Sequence, residues 1–369
     1  MYTTSGPFGL IATQMENSLV KTYDLSLGEP RLSPFPLEIL ADLVDVKDLN
    51  VYYPSHGSVV LRKLLLEKYY AKCNLTNITI THGAIGALDV IMRVQSHIGG
   101  EILLPDPGFP PYEKLAQFSK LKIKKYKVNL DKNNQMLVDW QDLYSQVTND
   151  TKLLLINSPS NPTGKLFGQQ EKQRLLQMMS EFPNLNFILD EAYRELIYAG
   201  LSHVELSEFI DRGYIVGSFS KMYPLQGARV GWVLTSEKLM QEMSPYFNNA
   251  YGAISSFGQE MARILIEKNV NYFPQYNEAR IRSLNILDQS GVEHLSALGG
   301  LFHFINFRKD DLKVTAELRE KGVLVVPGSA FGSQGVGFVR VCFSQPKQDL
   351  QKAFEIIADH WFVSKKENL

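Results

Sequence analysis

Short runs of apolar residues alternate with longer amphipathic stretches between about residues 58 and 240. Each run is the length of a buried strand, and six strands are predicted, at 78–81, 101–104, 153–157, 187–190, 214–218 and 230–234. Between them, apolar residues recur at helical spacing, as at 175, 178, 179 and 182. This alternation predicts an α/β fold with a mostly parallel sheet and helices on both of its faces.

The pattern changes after Ser256. It predicts long helices over about 257–288, apolar strands at 301–307, 324–326 and 338–343, and a final helix near 348–362. Such an order is typical of a smaller α+β unit. Because 369 residues exceed what one hydrophobic core usually supports, we predict two domains. The large domain spans 40–255, and the small domain combines 1–39 with 256–369.

Composition excludes several classes of partner. The formal net charge is -1, so we expect neither a nucleic-acid nor a membrane partner. Cys73 and Cys342 are too few and too far apart for a disulfide framework or a metal cluster, so we expect no metal and a cytoplasmic location. We also expect no signal peptide and no transmembrane helix. The basic stretch 120–127 (KLKIKKYK) alternates with apolar residues and predicts an exposed strand edge.

Polar residues follow the ends of three consecutive predicted strands. Asn161, Asp190 and Lys221 stand at or just after these ends. Ligands of open α/β sheets bind beyond the carboxyl ends of the strands. We therefore expect these three residues to share one site.

The stretch 218–231 (SFSKMYPLQGARVG) offers an amine, a hydroxyl and a guanidinium, at Lys221, Ser218 and Arg229. Pyridoxal 5'-phosphate needs an amine for a Schiff base, donors for its phosphate and a carboxylate for its pyridinium nitrogen. Asp190 suits that nitrogen through a charge-assisted hydrogen bond. Taken singly, each residue has an ordinary alternative, since most lysines are solvated and an aspartate at a strand end often caps a turn.

Further candidates come from other predicted strands and turns. Residues 82–85 (HGAI) precede a predicted helix, whose first backbone N–H groups are suited to an anion. Phe109 has a ring that can stack on a cofactor, although core packing is its ordinary role. Arg340 lies inside an apolar strand, where its charge needs a partner, either an internal carboxylate or that of a substrate.

With its motifs in this order, the chain resembles the pyridoxal phosphate-dependent class I and II aminotransferases of the aspartate aminotransferase fold type. The resemblance runs from 25–30 (LSLGEP) and 52–57 (YYPSHG) to 327–332 (PGSAFG) and Arg340. It also covers 105–112, 157–164, 190–193 and 218–231, nearly the whole chain.

The resemblance implies a role for each candidate. The implied catalytic residues are Lys221, Asp190 and Tyr193. Lys221 bonds to the cofactor and then moves the proton, and Asp190 pairs with the pyridine nitrogen. Tyr193, together with Asn161, holds the ring oxygen. The remaining cofactor-binding residues are Ala84, Ile85, Ser218 and Arg229 at the phosphate, and Phe109 on the ring. The α-carboxylate of the substrate is bound by Arg340 with Gly28 and Asn161. Tyr52 matches a residue that reaches the phosphate in the partner subunit, which implies a homodimer with shared active sites.

Three departures from the family pattern concern specificity. Ala84 replaces a frequent Ser or Thr, and 298–302 reads LGGLF instead of the usual Pro-x-Gly-x-Phe. Ile85 stands where one subgroup of aspartate-type enzymes carries a lysine for the distal carboxylate. The apolar residue argues for neutral or aromatic amino donors over aspartate, although an arginine elsewhere would also serve that carboxylate.

The expected activity is therefore transfer of an amino group between an L-amino acid and a 2-oxo acid, with 2-oxoglutarate as the expected acceptor. Lys221 must be neutral to act as a base, and desolvation lowers the pKa of an amine. Two alternatives remain at this point. A lyase or cyclase of the same fold would share every residue named. A ligand-sensing regulator of this fold carries an N-terminal DNA-binding segment, for which the motif at 27–30 leaves little room.

Overall fold

The computed structural model describes residues 21–31, 41–43, 51–97, 99–132, 134–295 and 297–366. Its strands are β1 (Tyr23–Asp24), β2 (Ile78–His82), β3 (Glu101–Asp106), β4 (Lys122–Leu130), β5 (Met136–Val138), β6 (Thr151–Asn157), β7 (Asn186–Asp190), β8 (Gly213–Ser218), β9 (Val230–Leu234), β10 (Phe302–Asn306), β11 (Val323–Leu324), β12 (Val326–Pro327) and β13 (Phe338–Cys342).

Its α-helices are α1 (Val59–Tyr69), α2 (Gly83–Ser96), α3 (Pro111–Phe118), α4 (Trp140–Gln146), α5 (Gln169–Glu181), α6 (Phe219–Met222), α7 (Glu237–Tyr246), α8 (Ser256–Glu267), α9 (Phe273–Gln289), α10 (Asp311–Glu320) and α11 (Lys347–Lys366). Within the described ranges, no helix is both long and apolar enough to cross a membrane.

The large sheet has the strand order β2-β9-β8-β7-β6-β3-β4-β5. Its centre is parallel, from β8 through β7, β6 and β3 to β4. β9 runs antiparallel between β2 and β8, and β5 runs antiparallel to β4. All six predicted strands and the mostly parallel sheet are confirmed.

Helices cover both faces of this sheet, as predicted. Successive side chains of a strand point to opposite faces, and on β6 the alternate pairs Leu153 with Leu155 and Leu154 with Ile156 belong to separate apolar clusters. Both faces are therefore buried, which explains the nearly continuous apolar runs in the sequence.

Residues 122–127 of the basic stretch belong to β4 and pair with β3 on one side. The short strand β5 pairs only with 128–130 of β4, so within the described residues no strand pairs with the other side of 122–127, and the predicted strand edge is confirmed. Three lysines of β4 meet carboxylates, with Lys122 and Lys124 at 2.7 and 2.6 Å from Glu101 and Lys125 at 2.8 Å from Glu113. The ammonium groups of these three lysines therefore form local ion pairs.

Beyond the large sheet, β10, β13 and β12 form an antiparallel sheet and β1 pairs with β11 in parallel. These strands and the terminal helix α11 confirm the predicted α+β region. The long helices predicted over about 257–288 are α8 and α9. α8 ends before Asn269, which has a φ of +49°, and α9 has Pro274 in its first turn. The division into domains at 40–255 and at 1–39 with 256–369 stays a prediction.

A polar contact at the carboxyl end of β3 joins the large sheet to the α+β region. The carboxylate of Asp106, at the end of β3, accepts hydrogen bonds from Ser333 Oγ at 2.8 Å and Gln334 N at 3.0 Å. Gly332 has a φ of +137°, and a Cβ there would lie 2.1 Å from Asp106 Oδ1. Only glycine therefore fits this close approach. The contact holds the loop before β13, the strand that carries Arg340, against the large sheet.

Candidate active site

A cavity of about 450 Å³ opens at the carboxyl ends of β6, β7 and β8. The structure brings eleven of the twelve predicted site residues to its lining: Gly28, Ala84, Ile85, Phe109, Asn161, Asp190, Tyr193, Ser218, Lys221, Arg229 and Arg340. Residues separated by more than 300 positions thus meet in one cavity.

Lys221 enters the cavity from α6, a single helical turn. Ser218 caps this turn, since its Oγ accepts a hydrogen bond from Ser220 N at 3.1 Å. Lys221 Nζ donates to the backbone carbonyl of Gly28 at 2.5 Å. Burial is the main cause that lowers the pKa of the Lys221 amine from its ordinary value, and the nearby guanidinium groups of Arg340 and Arg229 lower it further. The environment thus favours the neutral amine.

Asp190 presents a buried carboxylate at the end of β7. Tyr112 Oη donates to its Oδ2 at 2.7 Å and Ala192 N donates to its Oδ1 at 3.0 Å. Burial raises the pKa of this carboxyl to about 6, although both hydrogen bonds act in the opposite direction. Ionisation is therefore less favourable than for an exposed aspartate, and a cationic N–H placed against the carboxylate would stabilise the ionised form.

Tyr112 is a site residue that the sequence reasoning missed. It lies near the start of α3, is 2% exposed and lines the cavity. Its ring meets Phe109 edge to face, with the ring centroids 5.4 Å apart. Its position three residues after Phe109 was the available signal, but tyrosines at such positions usually pack in the core. Its partner, Asp190, is 78 residues away in sequence.

Arg340 projects from the middle of β13 and is 2% exposed. One of its terminal nitrogens donates to Asn161 Oδ1 at 3.0 Å and the other to the carbonyl of Ser26. The guanidinium lies 4.2 Å from the ring centroid of Phe302. Burial lowers the pKa of Arg340 to about 10, which still leaves it cationic at neutral pH. A buried guanidinium that lines a cavity is suited to bind a carboxylate.

Asn157, also absent from the prediction, links the two sides of the site. Its Nδ2 donates to the carbonyl of Asp190 at 3.0 Å, and its Oδ1 accepts from Asn161 N at 2.7 Å. Asn161 is thereby positioned between Asp190 and Arg340. Tyr193 is also buried, and its ring contacts Phe302 edge to face at 5.9 Å between centroids.

The start of α2 forms a cradle of backbone N–H groups. Gly83, with a φ of +65°, begins this helix, and Ala84 and Ile85 line the cavity. The backbone of β9 approaches closely, since a Cβ on Gly231 would lie 2.8 Å from Ala84 N. Arg229 NH1 donates to Ser220 Oγ at 3.4 Å and to Gln226 O at 3.0 Å. A helix N-terminus beside a guanidinium and hydroxyls is an anion site.

Tyr52 is the one predicted residue that the structure does not bring to the cavity of its own chain. Its side chain is 93% exposed. The apolar residues Val51, Val59 and Val60 near it are also exposed. The predicted role of Tyr52 in a partner's site stays a prediction.

The fold and the cavity together define an α/β protein in which an amine, a buried carboxylate and two guanidinium groups line one cavity. The profile of the family described as Aminotransferase class I and II matches residues 20–357. The chain belongs to this family, and it is an aminotransferase.

Curated relatives align with this chain over most of their length. A probable aspartate aminotransferase of Methanocaldococcus jannaschii is 29% identical over 91% of this chain and 92% of its own. A tyrosine aminotransferase of Caenorhabditis elegans is 25% identical over 90% of this chain and 77% of its own. The names of such relatives do not favour the alternative of a lyase or cyclase.

Solved structures agree on the fold. The aspartate aminotransferase of Thermotoga maritima superposes with a TM-score of 0.85 at 26% identity, covering 96% of this chain and 94% of its own. The N-succinyldiaminopimelate aminotransferase of Mycobacterium tuberculosis also reaches 0.85, at 23% identity, over 92% of this chain and 93% of its own. At that identity the second likeness shows the fold alone.

The hydrogen bond from Tyr112 gives a first testable prediction. Tyr112→Phe removes a bond that lowers the pKa of Asp190, so we expect that pKa to rise by roughly one pH unit from about 6. Near neutral pH, less of the carboxyl is then ionised. The carboxyl band in difference infrared spectra, followed as a function of pH, measures this, and Asp190→Asn identifies the band.

Tyr126→Phe is the matched control. Tyr126 is also buried, but its hydroxyl donates to the carbonyl of Leu155 at 2.9 Å instead of to Asp190. This variant should leave the Asp190 band at its wild-type pH. An unchanged or lower pKa in Tyr112→Phe would contradict the prediction.

Proposed function

We propose that this aminotransferase uses pyridoxal 5'-phosphate to move an amino group between an L-amino acid and a 2-oxo acid. The observation that carries the proposal is the meeting of the Lys221 amine, the Asp190 carboxylate and the Arg340 guanidinium around one cavity. Each of these charged groups is costly to bury. Together they match the three things that such a reaction needs: a base, a partner for the ring nitrogen and a carboxylate receptor.

The residues around the cavity fit the cofactor. Asp190 would hold the pyridine nitrogen, since its raised pKa shows a buried carboxylate that a cationic N–H would stabilise. The start of α2 at Ala84 and Ile85, with Ser218 and Arg229, would hold the phosphate. Phe109 would stack on the ring, and Asn161 and Tyr193 would donate to the ring oxygen. When bound, the cofactor supplies an electron-withdrawing ring that stabilises negative charge at the substrate Cα.

The side chains of the chain itself orient the substrate and move its proton. Arg340, held by Asn161 and the carbonyl of Ser26, would bind the α-carboxylate by a fork of two hydrogen bonds. Lys221 Nζ, whose pKa burial lowers from its ordinary value, would accept the proton from the substrate Cα. Gly28, whose carbonyl accepts from Lys221 Nζ, stands beside both groups.

The acceptor proposed from the family resemblance is 2-oxoglutarate. Assembly as a homodimer is proposed as well, because Tyr52 is fully presented to solvent near three exposed valines in its own chain. We propose a cytoplasmic location on the sequence evidence, and both cysteines are free, as they would be in a reducing compartment.

Covalent labelling of Lys221 tests the function. After incubation with pyridoxal 5'-phosphate, borohydride reduction and peptide mapping should place the label on Lys221, because it is the lysine that lines the cavity among the described residues. Lys221→Ala should lose the label and about 10³-fold or more in turnover. Lys68→Ala is the matched control, since Lys68 is half-buried and paired with Glu195 away from the cavity. A label on another lysine would contradict the proposal.

Arg340→Lys tests carboxylate binding. A lysine cannot reproduce the planar fork of hydrogen bonds, so kcat/KM should fall for every α-amino acid. The loss should correspond to about 2–5 kcal/mol of transition-state stabilisation. The loss should be similar for all donors, because each has the same α-carboxylate. Arg280→Lys, at a half-buried arginine whose Nε donates to Ala297 O outside the cavity, should change kcat/KM little. Donors that escape the loss would sink the assignment.

Mixed dimers test the role of Tyr52. Chains with Lys221→Ala and chains with Tyr52→Phe are coexpressed with different tags, so that they form heterodimers. If the sites are shared, one site of each heterodimer contains both substitutions and the other site contains neither. Activity should then exceed the average of the two parents and approach about one quarter of the wild-type activity in a statistical mixture. Activity equal to that average, or a fully active monomer, would rule out sharing.

A further inference from the structure

Glu191 presents a buried carboxylate beside the cavity wall, and the proposed function gives it no role. It follows Asp190 directly in the chain, and its side chain is 0% exposed. Asp190, Ala192 and Tyr193 line the cavity, whereas Glu191 does not. A charge that is removed from water is costly unless it is paired and hydrogen-bonded. The surroundings of Glu191 therefore show what holds this charge and where it acts.

Three side chains contact the Glu191 carboxylate. Arg194 NH1 donates to its Oε1 at 2.9 Å and to its Oε2 at 2.8 Å, and the hydroxyl of Tyr70 also donates to Oε1. His203 Nε2 lies 3.2 Å from Oε2, and burial lowers the pKa of this histidine, which favours its neutral form. Both oxygens of Glu191 thus accept hydrogen bonds, as an ionised carboxylate does.

The same contacts fasten the turn after β7 to the two neighbouring strands. Tyr70 Oη accepts a hydrogen bond from Trp232 Nε1 at 3.0 Å, so Tyr70 joins Glu191 to β9. The backbone N–H of Glu191 donates to the carbonyl of Val216 in β8 at 2.9 Å. Glu191 is therefore held from two strands, and its charge has a fixed place next to Asp190.

Arg194 does not cancel the charge of Glu191 completely. Its NH2 also donates to Glu205 Oε2 at 3.1 Å, so one guanidinium serves two carboxylates. Glu205 is 42% exposed and is screened by solvent, whereas the charge of Glu191 acts through the protein interior. Burial is the largest cause of the raised pKa of Asp190, and the charge of Glu191 acts in the same direction.

A negative charge next to Asp190 also affects a cation that Asp190 binds. A cationic N–H at Asp190 is attracted by both carboxylates, because the two charges have the same sign. Lys221, on the cavity side, acts on the pKa of Asp190 in the opposite direction. Glu191 therefore offsets the charge of Lys221 and keeps the potential at Asp190 favourable for a cation.

We propose that Glu191 is a positioning residue that acts through Asp190: its buried charge strengthens the hold of Asp190 on a protonated ring nitrogen of the cofactor, while Tyr70 and Arg194 keep that charge in place. The inference rests on the proposed function, because it takes Asp190 as the partner of the ring nitrogen. It goes beyond that function by giving a role to a residue that does not line the cavity.

Calorimetric binding of two reversible ligands to the cofactor-free protein tests this effect. Pyridoxine 5'-phosphate has a basic ring nitrogen but no aldehyde, so it forms no bond with Lys221. Its 1-deaza analogue has a CH group in place of that nitrogen. At about pH 8 Asp190, with a pKa of about 6, is mostly ionised, and loss of a like charge would only lower that pKa.

The measured quantity is the ratio of the two dissociation constants, analogue over pyridoxine 5'-phosphate. In the wild-type protein it should be about 10 or more, because Asp190 has a cationic partner only in the second ligand. In Glu191→Gln it should fall by about fivefold, since the lost charge acts on the ring nitrogen and not on the CH group. Arg194 keeps Glu205 as its counter-ion in this variant.

Further variants separate charge from packing. Tyr70→Phe keeps every charge and removes the hydroxyl between Glu191 and Trp232, so it should weaken both ligands together and leave the ratio within about twofold. Glu101→Gln is the matched control, because Glu101 is a buried carboxylate that is paired with two lysines away from the cavity. It should leave the ratio unchanged.

Should Glu191→Gln not fold, the double variant Glu191→Gln/Arg194→Gln removes the buried ion pair as a whole. The ratio should again fall, because Glu191 is the member of the pair whose charge acts on Asp190. A ratio that stays at its wild-type value in the folded variant, or that falls equally in Tyr70→Phe, would overturn the inference alone. A wild-type protein that binds both ligands equally would instead contradict the pairing of Asp190 with the ring nitrogen, and with it the proposed function.

Discussion

Burial of charge is the constraint on which the rest of this structure depends. Asp190, Lys221 and Arg340 bring a carboxylate, an amine and a guanidinium into one cavity, and each would be more stable in water. Tyr112 and Ala192 N hold Asp190, the Gly28 carbonyl holds Lys221, and Asn161 with the Ser26 carbonyl holds Arg340. These supports are neutral, so they orient the charges without neutralising them.

The supports come from widely separated parts of the fold. Asp190 stands at the end of a central strand, Arg340 inside a strand of the second sheet, and Gly28 in the segment that follows β1. The contact of Asp106 with the loop at 332–334 keeps the second sheet close to the first. Any change in that relative position would alter the distance between the Arg340 guanidinium and the Lys221 amine across the cavity.

Most of the site was predictable because its chemistry stands next to recognisable strand ends. The six strands of the large sheet appear as short apolar runs, and Asn161, Asp190 and Lys221 follow them directly. Tyr112 and Asn157 were not predicted, because their roles come from contacts rather than from residue type. A tyrosine in the first turn of a helix is ordinary until its hydroxyl is found 2.7 Å from a buried carboxylate.

The sequence by itself determined the strand and helix pattern, the α/β class and the chemical groups of the site, since apolar periodicity and residue type are local properties. Tertiary structure alone decided the order of the strands, with β9 antiparallel at its place in the sheet. It also decided which neutral groups hold each charge. The physical reason is that burial and hydrogen-bond partners depend on residues brought together from distant positions, and the electrostatics of a site follows from those partners.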